Sequence, residues 1–233
     1  ADEATYFAFS GYTTPAAIYR LDIASGEVTL FRKPVVNIDT DDYETDLQFY
    51  HSKDGTRIPL FVSHRKGLQR DSSNATFLFG YGGFRVPLTP GFSPSMAAWM
   101  EMGGVYAVAC IRGGDEYGQE WHDGGRLNNK QNCFDDFISA GEYLIEQGIT
   151  SSSKLAIAGG SNGGLLVGAC ITQRPDLFGA ALPAVGVMDM LRFHKFTIGW
   201  AWTSDYGSPD DPEDFKVLLK YSPLHNIRPG AAY

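Results

Sequence analysis

The chain has 233 residues, of which 43% are hydrophobic and 20% are charged, and its formal net charge is −8. This composition is typical of a globular protein with a full core, and the acidic balance argues against nucleic acid or an anionic membrane as a partner. No apolar run approaches the length of a membrane span, and no basic leader with an apolar core begins the sequence. Because the sequence starts at Ala1 and not at Met, we leave open a leader that was removed upstream.

The first 33 residues predict short β-strands. Residues 6–9, 18–21 and 28–31 are rich in β-branched and aromatic residues, and Ser25-Gly26 predicts a turn between the second and third segments. Three short strands cannot bury one face of a sheet without a partner. We therefore interpret the segment as part of a larger all-β unit, with a small independent sheet as the alternative.

A linker and a hairpin follow these strands. Residues 34–45 begin with Pro34 and include several acidic side chains, which predicts an exposed linker and a domain boundary. Residues 47–50 and 58–62 then predict two strands joined through Asp54-Gly55, a dipeptide that is typical of hairpin turns. We expect an antiparallel pair at the start of the second unit.

From residue 75 onward the pattern changes to strands that alternate with helices. Apolar runs predict buried strands at residues 76–79, 104–109, 155–158 and 180–185. Apolar residues at helical spacing predict a helix over about 130–147, and another helix follows the third strand and ends near Pro175. This alternation is typical of a mostly parallel sheet, so the predicted fold class is α/β. In such sheets, functional residues lie at the carboxyl ends of the strands.

One predicted strand ends in a glycine-rich turn with a lone serine at its apex. The run Leu155-Ala156-Ile157-Ala158 is followed by Gly159-Gly160-Ser161-Asn162-Gly163, and a segment able to form a helix comes next. This order fits the G-x-S-x-G nucleophile elbow of α/β-hydrolases, in which the serine occupies a strained strand-to-helix turn. Ser161 is therefore the candidate nucleophile. Because the pattern is short, a glycine-rich turn with an incidental serine is the alternative.

Three further segments bear on a site. The glycine-rich residues 111–118 are not followed by the G-K-[ST] of a phosphate loop, so we interpret them as a structural crossover. Residues 187–206 are rich in aromatic side chains, and a helix that faces the core is the simplest interpretation of such a stripe. Asp211 followed by Pro212 predicts the N-cap and the first position of another helix.

The three cysteines, Cys110, Cys133 and Cys170, are widely spaced, and each lies in an apolar context. Buried free thiols are the expected state, which favours a reducing compartment. We therefore expect a cytoplasmic protein, with the bacterial periplasm as the alternative. We expect no metal and no cofactor.

Seven sequence blocks, taken together, carry a family pattern. They are Phe79-Gly80-Tyr81-Gly82-Gly83-Phe84, Ile111-Arg112-Gly113-Gly114, residues 129–137, Gly160-Ser161-Asn162-Gly163-Gly164, residues 173–179, residues 186–191 and residues 221–226. These blocks resemble the prolyl oligopeptidase family and occur in family order, and the similarity covers residues from about 45 to 228. The resemblance implies a serine endopeptidase that cleaves short peptides after proline. It also implies an α/β-hydrolase peptidase domain capped by a β-propeller. Residues 1–36 would then be the last propeller strands, and residues 37–233 a peptidase domain that is incomplete at its C-terminus.

The same resemblance implies roles for individual residues. Ser161 is the nucleophile, and the backbone N–H of Asn162 and the hydroxyl of Tyr81 form the oxyanion hole. The side chains that match the proline pocket are Phe84, Val187, Trp202 and Tyr206. An aromatic pocket is suited to a flat, apolar proline ring. The implied partners are short proline-containing peptides and the rest of the same polypeptide, with no cofactor.

A serine nucleophile needs a general base that is oriented by a carboxylate. After Ser161 the chain offers only His194 and His225, and neither is preceded by the Asp-bearing strand that α/β-hydrolases place between Ser and His. The resemblance implies that the Asp and the His follow later strands, beyond Tyr233. We therefore expect this chain alone to be inactive.

Two other functions stay open. One is a related serine hydrolase, such as an oligopeptidase for basic residues, an acylaminoacyl peptidase or an esterase. The first would need acidic residues where this pocket is aromatic, and an esterase usually has a His-Gly-Gly-Gly loop where this chain has Tyr81-Gly82-Gly83-Phe84. The other is a binding module, or a catalytically incompetent fragment, that keeps the hydrolase fold.

Overall fold

The computed structural model describes residues 3–233, and its N-terminal strands form a sheet of their own. Strands β1 (Ala4–Phe9), β2 (Ala17–Asp22) and β3 (Val28–Arg32) pair antiparallel in that order. The three predicted segments are confirmed, and each strand is one or two residues longer than expected. Most side chains of this sheet are exposed, and rings such as Tyr6 and Phe31 pair across its strands. It therefore contributes little to the buried core.

The connection between β1 and β2 contacts the second sheet. Tyr12 is buried there, and its ring centroid lies 5.3 Å from that of Phe61 and 5.8 Å from that of Tyr106. Beside it, the Ser10 hydroxyl accepts a hydrogen bond of 3.1 Å from the backbone N–H of Phe92. These contacts join the N-terminal sheet to the larger body of the protein.

The second sheet is mixed and has six strands. They are β4 (Tyr43–His51), β5 (Arg57–Arg65), β6 (Thr76–Phe79), β7 (Val105–Ala109), β8 (Leu155–Gly160) and β9 (Ala180–Ala184). Their order is β4-β5-β7-β6-β8-β9; β4 pairs antiparallel with β5 and β5 with β7, whereas β6 to β9 are parallel. The expected hairpin and the mostly parallel α/β sheet are confirmed, but the strand predicted to be buried at residues 180–185 is mostly exposed, because β9 lies at the edge of the sheet. The predicted linker is too long by three residues, because Tyr43 is buried and already pairs with Arg65.

Six α-helices accompany these strands among the described residues. They are α1 (Pro94–Glu101), α2 (Gln119–Asp123), α3 (Gln131–Glu146), α4 (Asn162–Gln173), α5 (Thr203–Tyr206) and α6 (Pro212–Tyr221). The two long helices α3 and α4 lie where the sequence predicts them. The cap of α6 is confirmed, because the Asp211 side chain accepts hydrogen bonds from the backbone N–H groups of Glu213 and Asp214. Helices α1 and α2 were not predicted.

The alternation of side chains along the strands divides the sheet into two faces. On one face, Leu60, Ala107 and Ile157 belong to a buried cluster that includes residues of α3 and α4. On the other face, the ring of Phe77 contacts Trp99 of α1. All three cysteines are buried free thiols, as expected. Within residues 3–233, no helix has the length and apolar character to cross a bilayer.

The aromatic stretch at residues 187–206 is not the single core-facing helix that the sequence suggested. It consists of irregular backbone, two short 3-10 turns and α5. Phe193 and Tyr206 are buried, whereas Phe196 and Trp200 are exposed. The aromatic residues therefore do not share one helical stripe, and several of them are free to face a pocket.

Candidate active site

Ser161 lies at the carboxyl end of β8, in the one-residue turn that leads into α4. Its φ of 57° and ψ of −114° are in a region that residues with a side chain rarely adopt. The turn is held from one side by the Ser161 N–H, which donates to the Ala184 carbonyl at 2.9 Å. A Cβ atom on Gly163 would lie 2.7 Å from the Gly80 carbonyl oxygen, so glycine is required there. The strained turn leaves the Ser161 side chain exposed at the sheet edge.

Tyr81 follows β6, the strand that pairs in parallel with β8. Because the carboxyl ends of parallel neighbours meet at one edge, Tyr81 and Ser161 come together although 80 positions separate them. The Tyr81 carbonyl accepts a hydrogen bond of 2.5 Å from Asn162 Nδ2, which ties the loop after β6 to the start of α4. Partial burial raises the pKa of the Tyr81 phenol, and a hydrogen bond with the Ser161 side chain acts against that rise. The phenol is therefore a neutral donor near neutral pH.

A small cavity opens beside the Ser161 side chain. Its volume is about 130 Å³, and it is lined by Tyr81, Phe84, Ser161, Val187, Trp202 and Tyr206. Every one of these residues is a site residue named from the sequence. The rings of Phe84 and Tyr206 meet edge to face with centroids 5.3 Å apart, and Trp202 stacks on Phe193 at 6.5 Å. The cavity is thus a small slot with mostly aromatic walls, and Ser161 is part of its lining.

Asn162 is the remaining site residue predicted from the sequence, and it does not line this cavity. It is the first residue of α4, and the first N–H groups of a helix have no acceptor within the helix. Its side chain is buried, and Oδ1 accepts a hydrogen bond of 2.9 Å from the Tyr206 hydroxyl. The Asn162 backbone N–H is therefore available to an oxyanion next to Ser161, while its side chain serves the structure of the site.

Neither histidine that follows Ser161 lines the cavity. His225 Nδ1 lies 2.8 Å from the Ser222 hydroxyl, and His194 Nε2 lies 3.3 Å from an oxygen of Asp210. Within the part of the chain that the structure describes, no histidine is placed to take a proton from Ser161 in this cavity, and no cluster of three potential metal ligands occurs. The arrangement places an exposed serine hydroxyl and a tyrosine hydroxyl beside one small cavity, next to the N-terminus of α4, and these groups have the chemistry of a nucleophile and of oxyanion donors.

Comparison with known proteins assigns the chain to a family. Residues 90–233 match the model of the prolyl oligopeptidase family. The chain belongs to that family. It is 50% identical over 229 residues to a prolyl endopeptidase of Elizabethkingia miricola, and 50% identical over 223 residues to one of Dictyostelium discoideum. These alignments cover 98% and 94% of the chain but only 32% and 29% of the relatives.

Solved structures of the family agree with the fold. A structure from a study of two prolyl endopeptidases superposes with a TM-score of 0.96 at 50% identity, over 100% of this chain and 34% of the solved one. Prolyl oligopeptidase B from Galerina marginata, bound to a 25-residue macrocyclization substrate, superposes with a TM-score of 0.94 at 42% identity, covering 99% of this chain and 33% of that one. The chain therefore spans about a third of the length of the prolyl oligopeptidase relatives that it matches.

A buried polar network behind the cavity was not recognised from the sequence. Its charged members are Lys130 and Asp205, which are 1% and 3% exposed, and His122 joins it through a contact of 2.7 Å between Nε2 and Asp205 Oδ1. One signal was available, because Lys130 immediately precedes α3, where a positive charge opposes the helix dipole. A lysine at such a position indicates a specific partner, but no local pattern names the partner.

Proposed function

We propose that the full-length protein is a serine endopeptidase that hydrolyses short peptides on the carboxyl side of proline. The observation that carries this proposal is the cavity that Ser161 shares with five apolar or aromatic side chains. A nucleophile in the lining of an aromatic slot acts on the carbonyl of the residue that fills the slot. A proline ring is compact, flat and apolar, and it gains most from aromatic contacts.

The chemistry follows from the positions of the donors. Ser161 Oγ bonds to the carbonyl carbon of the proline residue as a base removes its proton, and the carbonyl oxygen becomes an oxyanion. The Asn162 N–H and the Tyr81 hydroxyl donate to that oxyanion. The C–N bond then breaks, the leaving amine takes the proton from the base, and an acyl ester remains on Ser161. Water repeats the sequence and releases a peptide that ends in proline.

We further propose that the base and its orienting carboxylate come from parts of the protein outside these 233 residues. In support, the relatives are about three times as long as this chain, and no histidine of residues 3–233 lines the cavity. The proposed base is a histidine oriented by an aspartate, as in other α/β-hydrolases.

The domain division that we propose also follows from the family resemblance. We assign residues 1–36 to the end of a β-propeller and residues 37–233 to the peptidase domain. In support, β1 to β3 form a sheet separate from the six-stranded one, and the chain between Pro34 and the start of β4 is mostly irregular. A propeller would supply the partner that the exposed faces of this small sheet lack.

A comparison of the full-length protein with residues 1–233 alone tests the function. The full-length protein should cleave a succinyl-Gly-Pro chromogenic peptide and be labelled at Ser161 by a fluorophosphonate, and residues 1–233 alone should do neither, because Ser161 lacks its base. Ser161→Ala in the full-length protein is the control and should abolish both signals. A full-length protein that is folded and yet inert in both assays would show that the chain is a binding module instead. Cleavage by the 233-residue chain would place the base within it.

A further inference from the structure

Lys130 is buried almost completely, and its ammonium group joins the two loops that carry the oxyanion donors. Its Nζ donates to the carbonyl of Gly82 at 2.8 Å and to Asn162 Oδ1 at 3.1 Å. Gly82 follows Tyr81 in the chain, and Asn162 follows Ser161. One ammonium group thus bonds to the residue after Tyr81 and to the side chain of Asn162, and Tyr81 and Asn162 are the two proposed oxyanion donors.

A buried ammonium is costly unless it is paired, and here the pairing extends the network to the pocket wall. Asp205 Oδ2 lies 3.8 Å from Nζ, and Asp205 Oδ1 accepts the backbone N–H of Phe84 at 3.3 Å. Tyr206 places its ring 5.3 Å from Nζ. The Lys130 ammonium and the Asp205 carboxylate therefore both bind groups of the site, and both are buried away from the surface.

We propose that Lys130 is a positioning residue for the oxyanion hole. We use the term Lys130 clamp for the set formed by Lys130, Asp205, the Asn162 side chain and the Tyr206 hydroxyl. The clamp holds the Tyr81 hydroxyl and the Asn162 N–H at the separation that a single oxyanion requires. This inference rests on the proposed peptidase function and adds a role for a residue that does not touch the substrate.

The loop that carries Tyr81 needs such a constraint. Gly82 has a φ of 66°, and Gly83 lies so close to Asn162 that an added Cβ would be 2.6 Å from its Nδ2. Two successive glycines leave a backbone that adopts many conformations unless bonds hold it. An oxyanion donor has to lie about 2.7–3.1 Å from the developing charge, so a small displacement of this loop removes its contribution.

A double-mutant cycle in the full-length protein tests the clamp. Lys130→Met keeps an unbranched side chain that is one atom shorter, and it removes the charge and the donors. We expect kcat for a succinyl-Gly-Pro substrate to fall about 10–100-fold, with KM changed less than about 3-fold. If the clamp acts through the Tyr81 hydroxyl, the loss should shrink to less than about 3-fold in a Tyr81→Phe background. Equal losses of kcat in both backgrounds would overturn the proposal, because a general loss of folded structure does not depend on that hydroxyl.

Two further variants complete the test. Lys154→Met removes an exposed lysine and should leave kcat unchanged, which controls for the loss of one positive charge. If Lys130→Met does not fold, Tyr206→Phe provides the same test, because it deletes the hydroxyl that donates to Asn162 Oδ1 beside the Lys130 ammonium and keeps the ring. It should lower kcat about 3–10-fold, and this loss too should vanish in the Tyr81→Phe background. The same loss in both backgrounds would overturn the clamp.

The outcomes separate this inference from the proposed function. A wild-type protein without peptidase activity, or a Tyr81→Phe variant with normal kcat, would remove the oxyanion assignment and the clamp with it. An active wild type in which Tyr81→Phe is impaired, but Lys130→Met and Tyr81→Phe reduce kcat independently, would keep the proposed function and reject the clamp.

Discussion

The proposed site at Ser161 has two halves that are built differently. The half with the proposed chemistry, here the chemical half, consists of Ser161, Asn162 and Tyr81 and is held by a strained turn, short hydrogen bonds and a buried charge. The proposed recognition half, formed mainly by the half-buried Phe84 and Trp202, is held by ring contacts with the buried Tyr206 and Phe193. Directional bonds fail abruptly when one atom is lost, whereas apolar contacts weaken in proportion to the area removed. The two halves should therefore respond to substitution in different ways.

The most severe break of the chemical half is Ser161→Ala. In the full-length protein we expect kcat to fall by at least about 10⁴-fold, because no acyl ester can form. Steady-state kinetics measure this loss, and an unchanged thermal unfolding midpoint would show that folding is intact. Residual turnover within about 100-fold of the wild type would assign the nucleophile to another residue.

Tyr81→Phe breaks the chemical half by a single oxygen atom. We expect kcat to fall about 10²–10³-fold, since one oxyanion donor is lost. KM and stability should barely change, because the ring remains and its carbonyl still accepts from Asn162. Rates for several proline peptides should be compared. Near-normal kcat values would reduce Tyr81 to a packing residue.

The recognition half should show a graded effect. Trp202→Ala should lower the preference for Pro over Ala at the cleaved position by about 10–200-fold in kcat/KM, the range of one pocket contact. Trp200→Ala is the matched control, because Trp200 is close in sequence and 67% exposed but does not line the cavity. If both variants keep the wild-type Pro/Ala ratio, the cavity does not select proline through this indole.

The smallest effect is expected at the ion pair of Arg112 with Asp54, which lies outside the chemical half. Arg112 immediately precedes Gly113, which lies against the Gly82 carbonyl, and its guanidinium donates to Asp136 and to Asp54, each at 2.6 Å. The hydrogen bond from Arg112 lowers the pKa of Asp54 from 3.8 to about 2. Because the folded pKa is the lower one, this stabilisation is present above the unfolded pKa and is lost as the pH falls through the folded pKa.

Asp54→Asn should therefore lower the unfolding free energy of the full-length protein by about 1 kcal/mol or less at pH 7, because the carboxylate is 46% exposed and partly screened. Denaturant unfolding at several pH values should show the difference from wild type shrinking as the pH is lowered from about 5 towards 2. Peptidase kcat should not change. A fall in kcat comparable to that of Tyr81→Phe would extend the chemical half to the loop of Arg112.

Local patterns were sufficient for much of this molecule. The strands, helices α3 and α4 and the turn at Ser161 depend on periodicity and glycine placement, which the sequence displays directly. Helix α1 was missed because it is short and follows a segment rich in proline and glycine, although Ser93 and Pro94 form its cap. Residues 187–206 were interpreted as a helix because aromatic composition does not distinguish a stripe from a pocket.

The buried network depends on a different kind of information. Lys130 bonds to residues 48 and 32 positions away, and Asp205 meets a histidine 83 positions away. Such pairs depend on the order of strands in the sheet, and no short stretch of sequence contains that order. The predicted pocket residues came from the family resemblance, and the cavity gathers them because β6 and β8 are neighbours.

The positive φ of Ser161 has a consequence for stability as well as for the proposed chemistry. A residue with a Cβ atom in this conformation costs about 1–3 kcal/mol, and glycine would relieve most of that cost. A screen for heat resistance that ignores turnover would therefore favour glycine at this position and, under the proposed function, select a more stable protein without activity. Under that function, greater thermal stability has to come from substitutions elsewhere in the molecule.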